Sequence, residues 1–580
     1  MLETIVSRLL SFPFFDDFDP EALTALARRG CWQSLAGGWR LYRAGDPSDE
    51  LHFVISGRLI VVRQCPDGDE VVGYVRAGEP VGEMSMLADE SHSASVFALR
   101  DTEVLSFARS DIEAMLREHG EIAVGLARVT LARARPAPGV FQKSSPRIFA
   151  LIASSPSIDI DRHTEELTRR IRRYGVKANW LPVQDDTPGT LEFDDFEIEN
   201  DVVLLAARVD GGDWYRFVLR HADRFLLFAR RDAKPPRPFP LTTETGARAR
   251  KFRLVDLVML HEGAPACPIA EWADAISAAR ILNCRGGPCF ERLARIIAGV
   301  SVGLVLSGGG ARAYAHIGAI AALREAGVPI DFVSGASMGA IVAACVAYGW
   351  SNEEIETRIR AAFVESNPLG DHVLPVIALT KGKRVETRLK THFVDQEIEN
   401  LELPFFCVSS DIATGEARIH RRGRLRDALR ATIALPGILP PVIDGDAILV
   451  DGAVINNFPT DIMATTHRGL TIGIDVARRG VIDVEAFRDP PGFFTWIARH
   501  GLSAAPPIVS LLMRTATARH EATLKVHPAD IMIAPKVEGV ELRDWTEYDE
   551  AVADGYNATK AAIEAHREHL GPIIDAANCE

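Results

Sequence analysis

Three short segments of this chain carry residues whose types and spacing could break an ester. The run Ser307-Gly-Gly-Gly-Ala-Arg312 is glycine-rich, and the backbone N–H groups of such a loop at the positive end of a helix suit a phosphate or an oxyanion. Gly335-Ala-Ser337-Met-Gly339 sets a serine between two glycines. That is the pattern of a nucleophile elbow, in which a strained turn projects the hydroxyl and small neighbours permit close backbone approach. Farther along, Asp451-Gly452-Ala453 follows the apolar run Ala447-Ile-Leu-Val. A serine needs a base to become a nucleophile; Asp451 stands where a base could, although an Asp at a strand end is also an ordinary turn former.

The elements that must position these residues can be read around them. Val302-Gly-Leu-Val-Leu is a buried-strand run leading into the glycine loop, and 313–326 reads as a helix with Ile317, Ile320, Ala321 and Leu323 on its apolar face. A second strand begins at Asp331-Phe-Val-Ser, ahead of the elbow, and a helix through Ile341, Val342 and Val346 follows it. Residues 332–350 run nineteen positions without a charge, about the length of a membrane span. Their Gly, Ala, Ser and Val content, with the serine motif inside, makes them a buried strand–turn–helix instead.

Two rival chemistries use the same residues. Gly308-x-Gly310-x-x-Ala313 fits a relaxed dinucleotide fingerprint, and Asp331 lies about twenty residues on, as a ribose-binding acid should. However, Asp331 opens the next strand instead of closing it, which is the wrong sheet edge. A Ser-His-Asp hydrolase is the other rival, since His467 and His500 follow Asp451 in the order Ser…Asp…His. His467 sits in Thr-His-Arg-Gly and reads as a solvated helix end; His500 is unremarkable, and His316 lies too near the glycine loop to be a distal triad member. A Ser337–Asp451 dyad is the preferred reading.

Taken in this order, the three motifs resemble those of the patatin-like phospholipases. The resemblance implies a C-terminal three-layer α/β hydrolase domain in which Ser337 attacks an ester carbonyl and Asp451 takes its proton. It implies an oxyanion hole around Gly308, Gly309, Gly310 and Arg312, with Gly335, Gly339, Gly452 and Ala453 shaping the elbow and the turn. One departure is Ala313, where that family usually has Gly; a methyl there crowds the first helical turn.

Upstream, residues 33–118 resemble a cyclic-nucleotide-binding domain. Strand runs at 51–63, 70–76 and 94–107 surround Gly82-Glu83-Met-Ser-Met-Leu and Ser93-Ala-Ser-Val, which match that family's phosphate cassette. By position, Gly82, Glu83, His92 and Ser93 are the nucleotide-binding candidates, Glu83 standing for the ribose-binding acid. His92 occupies the position of the phosphate-binding arginine, and a mostly neutral imidazole is a poor substitute for an always-charged fork. A helix follows at 111–118, then a Pro-, Gly- and Ser-containing linker. Strand runs at 148–153, 202–206 and 225–228, with a helix at 161–174, predict a middle α/β domain with a parallel sheet and no phosphate loop. The pairing resembles the bacterial relatives of neuropathy target esterase. The expected organisation is a β-roll, or jelly-roll, domain over 1–140, an α/β linking domain over 147–290 and a patatin-like domain over 300–580, its catalytic motifs within 307–459. The fold class is α/β overall.

Composition bounds the function. The 580 residues carry 65 Lys+Arg against 79 Asp+Glu, a net charge of −14, which speaks against a nucleic-acid binder and against attraction to anionic membranes by charge. Residues 1–140 hold 14 Arg, no Lys and 21 Asp+Glu, so half of the acidity belongs to the first domain. The eight cysteines form no C-x-x-C pair, so neither a disulfide framework nor a metal site is expected; Cys284 and Cys289, with Arg-Gly-Gly-Pro between them, read as a chance pair. With no basic-then-apolar leader at the N-terminus, the expectation is a reducing cytoplasm. Peripheral membrane contact would come from apolar segments such as 490–497, with Phe493, Phe494, Trp496 and Ile497. The expected activity is a serine esterase acting on phospholipid or lysophospholipid acyl esters. It would use no metal or cofactor, with a cyclic nucleotide as effector through the N-terminal domain. The alternative is a lipid-binding protein with an impaired site and a degenerate sensor, which Ala313 and His92 keep open.

Overall fold

The apolar runs on either side of Ser56-Gly57-Arg58 form the strands Glu50–Ser56 and Arg58–Cys65, which belong to different sheets; Gly57, with φ of 87°, turns the chain from one sheet to the other, in a conformation glycine adopts without strain. In the computed structural model, the described residues are 2–134, 146–236, 254–477, 495, 528–537 and 547–578, apart from positions 11, 17, 66–67, 189, 367–368 and 374–375. Two four-stranded antiparallel sheets make the N-terminal β-roll. One orders Cys31–Leu35, Thr102–Ala108, Glu50–Ser56 and Pro80–Val81; the other orders Arg40–Tyr42, Ser95–Ala98, Arg58–Cys65 and Gly68–Arg76. Phe53, Leu105 and Phe107 bury one face against Phe15, Met115 and Leu126 of the flanking helices.

The middle strands are apolar for most of their length, as expected of parallel strands covered on both faces. Six align in the order Ala178–Leu181, Val202–Arg208, Ile148–Ala153, Arg224–Arg230, Val255–Leu260 and Arg280–Cys284, every pair parallel. Phe149, Leu151 and Leu293 of this unit share a core with Val305, Phe332, Phe406 and Phe458 of the next, so the middle and C-terminal sheets are packed as neighbours. Cys284 and Cys289 are disulfide-bonded, their Cα atoms 5.1 Å apart. The chance reading of this pair is therefore corrected. Gly286 turns the chain at φ 117° and brings the two thiols together, which separation in sequence did not reveal. Cysteine usage accordingly no longer argues for a reducing compartment.

The C-terminal sheet orders Val442–Asp444, Ala447–Val450, Phe405–Asp411, Phe332–Ala336, Gly303–Leu306, Thr471–Ile474 and Ile531–Ile533, with Glu416–His420 also paired to Phe405–Asp411. Gly303–Leu306 and Phe332–Ala336 run parallel, Leu306 opposite Gly335. Their C-terminal ends, and so the glycine loop and the elbow, emerge side by side. Residues 332–350 are the expected strand and helix, Phe332–Ala336 and Ser337–Ala347. Among the described residues no helix is long and apolar enough to cross a membrane. The helix expected over 313–326 differs at its start. A 3-10 turn, Gly310–Tyr314, comes first, and the α-helix is Ala315–Glu325, since Gly310 at φ 58° cannot join an α-helical run. That helix crosses Tyr548–Ala565 at backbone contact: a Cβ on Gly318 would strike the Val552 carbonyl, and one on Gly555 the Ala315 carbonyl.

Asp331 lies at the opposite sheet edge from the glycine loop. It accepts Arg295 Nη2 at 2.7 Å and the Val302 N–H at 2.9 Å, a buried pair that ties the middle unit's last helix, Gly287–Ala298, to the C-terminal sheet. The residue that prompted the dinucleotide reading is thus occupied in holding two units together.

Candidate active site

Ser337 is the first residue after its strand and has φ of 51°. A side chain in the left-handed region costs on the order of 1–3 kcal/mol and persists only where surroundings impose it. Those surroundings can be named. The Ser337 N–H donates to Thr432 Oγ1 at 3.0 Å, and Thr432 Oγ1 donates on to the Val408 carbonyl. Gly339 sits so close to the Ser307 carbonyl that a Cβ there would collide with it, which is the packing reason for the second glycine of the motif. Gly335, one residue before the strand's end, is paired with Leu306.

Ser337 Oγ donates to Asp451 Oδ2 at 2.6 Å. Asp451 follows strand Ala447–Val450, which pairs with Phe405–Asp411, the neighbour of the nucleophile strand. Its other oxygen, Oδ1, accepts the Ala453 N–H at 2.8 Å, and its own N–H is held by the Ala434 carbonyl at 2.9 Å. A Cβ on Gly452 would strike the Val408 carbonyl, so the turn after Asp451 needs its glycine. Asp451 is 2% exposed. Burial pushes its carboxyl up to about 6, against the smaller opposing effect of the hydrogen bonds from Ser337 and Ala453.

The glycine loop is clamped on both sides. His316 Nε2 donates to the Ser307 carbonyl at 2.9 Å, and burial pushes that imidazole down to about 4, so it stays neutral. The Val476 N–H donates to Ser307 Oγ at 2.9 Å. Asn457 exchanges two bonds with Gly308: its Nδ2 donates to the Gly308 carbonyl at 3.1 Å, and the Gly308 N–H donates to its carbonyl at 3.2 Å. The Arg312 N–H is likewise spent on the Gly309 carbonyl at 3.3 Å. Among the described residues no acceptor engages the N–H groups of Gly309 and Gly310, so of the four residues expected around an oxyanion these two have amides to offer. Ala313, the departure from the family pattern, is fully buried in the core cluster beside Tyr314 and Ala315.

Thr432, Asn457 and His316 as supports were missed from the sequence as a site; Thr432 and Asn457 act across distances of sequence that no local motif encodes, whereas His316 lies nine residues from Ser307 and only its burial shows its part. His467 is not solvated as expected. It is buried at 4% exposure, its Nδ1 within 3.1 Å of Ser301 Oγ and its ring stacked on Phe332, because the strand after it folds back over the helix end. It lies at the N-terminal edge of the sheet and has no part in the dyad. His500 and, in the segment 490–497, Phe493, Phe494, Trp496 and Ile497 lie outside the described residues. Among the described residues no group of three or more His, Cys, Asp or Glu side chains could hold a metal ion.

In the N-terminal cassette, Gly82 turns at φ 92° into the short helix Glu83–Ala88. Glu83 is 1% exposed, and its carboxylate accepts Arg133 Nη1 at 2.6 Å, from the helix Gly120–Ala134; the same guanidinium also reaches the Pro80 carbonyl at 2.9 Å. His92 stacks on Tyr42 with ring centroids 3.7 Å apart, and burial holds it below the usual imidazole range. Ser93 is exposed on the loop beyond. The candidates share one neighbourhood, but Glu83 already has a cation and His92 an aromatic partner.

Comparison with known proteins agrees with both halves. Residues 304–464 match the patatin-like phospholipase family, and residues 32–119 match the cyclic nucleotide-binding domain. An uncharacterized NTE family protein of Mycobacterium tuberculosis is 31% identical over 96% of each chain. The patatin-like phospholipase domain-containing protein 6 of Homo sapiens is 27% identical over 92% of this chain, which spans 44% of that longer relative. Among solved structures, a regulatory subunit of a cAMP-independent protein kinase A from Trypanosoma brucei matches 23% of this chain at 24% identity, with a TM-score of 0.22. On its likeness to the mycobacterial protein over nearly its whole length, the chain belongs to the NTE family: it is a lipid hydrolase with a cyclic nucleotide-binding domain ahead of its patatin-like phospholipase domain.

Proposed function

We propose that the protein is a serine esterase that cleaves acyl esters of phospholipids or lysophospholipids through Ser337 and Asp451. The observation that carries this reading is the 2.6 Å hydrogen bond from Ser337 Oγ to a buried carboxylate that, among the described residues, no cation neutralises. Ser337 Oγ attacks the ester carbonyl while its proton passes to Asp451 Oδ2. The amides of Gly309 and Gly310 hold the oxyanion of the tetrahedral intermediate, electrostatic help worth about 3 kcal/mol per donor in comparable sites. Collapse expels the alcohol, which takes the proton from Asp451, and leaves an acyl-serine. Water then gives a proton to Asp451 and attacks the acyl-serine; the fatty acid leaves, and the proton returns to Ser337.

A carboxylate serves as base when its pKa lies near the working pH, and burial brings Asp451 to about 6. The N-terminal domain is the regulatory module in this reading. Cyclic nucleotide would have to replace Arg133 at Glu83, which calorimetry with cyclic AMP and cyclic GMP tests; binding unchanged by Glu83→Ala excludes this pocket. The substrate reading is tested by hydrolysis of a lysophospholipid and phospholipid panel by wild type, Ser337→Ala and Asp451→Asn. Loss of turnover in both folded variants supports it, and wild-type rates in either overturn it.

A further inference from the structure

Between the β-roll, the helix Gly120–Ala134 and the middle sheet lies a cleft of about 690 Å³ that neither the dyad nor the cassette uses. Small-molecule sites fall in this size range. Five arginines line it, Arg58, Arg76, Arg100, Arg128 and Arg147, against three carboxylates, Glu79, Glu197 and Asp223. This cationic surplus sits beside a domain that is itself acidic, with 14 Arg and no Lys against 21 Asp+Glu in residues 1–140.

Four of the five arginines divide into two groups, and the fifth, Arg147, donates to the Glu197 and Asn200 carbonyls at 3.0 and 2.6 Å. Arg58 and Arg100 are buried and cross to the middle unit: Arg58 Nη1 is 3.2 Å from Asp223 Oδ2, and Arg100 Nη2 is 2.6 Å from Glu197 Oε1. They hold the two walls together. Arg76 and Arg128 are exposed members of the lining. Phe14, Phe18, Val124 and Val129 line the same cleft. An apolar surface in the same cleft as exposed guanidinium groups has no use for a small hydrated anion, but it matches a chain that ends in one.

We propose that this cleft binds an anionic amphiphile, an acyl chain ending in a single carboxylate or phosphate, with the head group at Arg76 and Arg128 and the chain along Phe14, Phe18, Val124 and Val129. Guanidinium forks suit both head groups. The helix Gly120–Ala134 contributes Val124, Arg128 and Val129 to the cleft and, one turn later, clamps Glu83 through Arg133. One element therefore touches both the ligand and the cassette. The site stands apart from the dyad, and its existence does not depend on the proposed catalysis.

The test is isothermal titration of the full chain carrying Ser337→Ala, so that nothing is turned over, with sodium oleate below its micelle concentration, lysophosphatidate, inorganic phosphate and cyclic AMP. The expected result is saturable binding of one or both amphiphiles that weakens at least about tenfold, or 1.4 kcal/mol, in Arg76→Glu/Arg128→Glu. Glu83→Ala should leave that binding unchanged. Which amphiphile binds more tightly identifies the head group as carboxylate or phosphate. Val124→Asn, a milder change at an exposed position, should weaken oleate and spare inorganic phosphate. Amphiphile binding that the arginine variant leaves intact would overturn the site. Inorganic phosphate or cyclic AMP binding as tightly as oleate, and lost in that variant, would overturn the amphiphile assignment.

Discussion

Asp451 and Glu83 are both carboxylates buried to within 2% of complete exclusion, yet their neighbours differ in one respect. Asp451 faces a hydroxyl and a backbone amide; Glu83 faces the Arg133 guanidinium at 2.6 Å. Without a cation, burial raises Asp451 to about 6 and leaves it able to accept and return a proton. With one, Glu83 fastens the cassette to the helix behind it. On the proposed mechanism the same side-chain chemistry serves as a base in one region and a bolt in the other, and what decides is whether the fold supplies a counter-charge.

The largest effects should come from breaking the catalytic side of this contrast. Ser337→Ala should lower ester hydrolysis by about 10⁴-fold or more. Asp451→Asn should do nearly the same while making the protein more stable. The folded pKa of Asp451 lies above its ordinary value of 3.8, so the native state binds the extra proton, and stability falls as pH rises from about 4 to about 6. Above that window the ionised carboxylate is a burden the amide lacks, about 1–3 kcal/mol. Thermal unfolding at pH 8 should show the gain, and at pH 4 it should vanish.

Next in size are the supports. Thr432→Val leaves the Ser337 N–H without its acceptor, a penalty of about 1–3 kcal/mol. It should reduce kcat by about 10- to 100-fold with KM little changed, whereas Thr432→Ser should restore the rate. Asn457→Ala removes the side-chain half of the clamp on Gly308, leaving the backbone bond, and should lower kcat by about tenfold through a looser oxyanion loop; steady-state kinetics on a soluble ester would show both. The smallest effect on rate belongs to the other carboxylate. Glu83→Gln should leave hydrolysis within about twofold yet destabilise the N-terminal unfolding transition by about 1–3 kcal/mol, because it strands the Arg133 charge. Adding Arg133→Met should recover most of that loss, as expected of a bolt and not of a base.

Much of this arrangement was legible in the sequence because it is local. A strand, a glycine loop and a helix leave a contiguous trace, and so does a serine between small residues; Phe332–Ala336 and Ser337–Ala347 follow that trace. The invisible parts are those made by the fold across long separations. Thr432 meets Ser337 over 95 positions, and Asn457 meets Gly308 over 149; neither sits in a motif of its own. His467 reads as solvated from its polar neighbours, and only the returning strand buries it against Phe332. Arg133 lies 50 residues from Glu83, so a cassette that looks open in sequence is filled by its own domain. Cys284 and Cys289 show the reverse case, a pair close in sequence whose bond depends on how Gly286 turns.

The account rests on Asp451 acting as the base for Ser337, and the most direct measurement is the pH dependence of covalent labelling by a fluorophosphonate, followed by mass spectrometry of the labelled peptide. Labelling should fall on Ser337 alone, with a rate that is half-maximal near pH 6 and drops about tenfold per pH unit below it; in Asp451→Asn the label should barely form at any pH. Labelling of another residue, or a rate and pH profile unchanged in folded Asp451→Asn, would contradict the dyad.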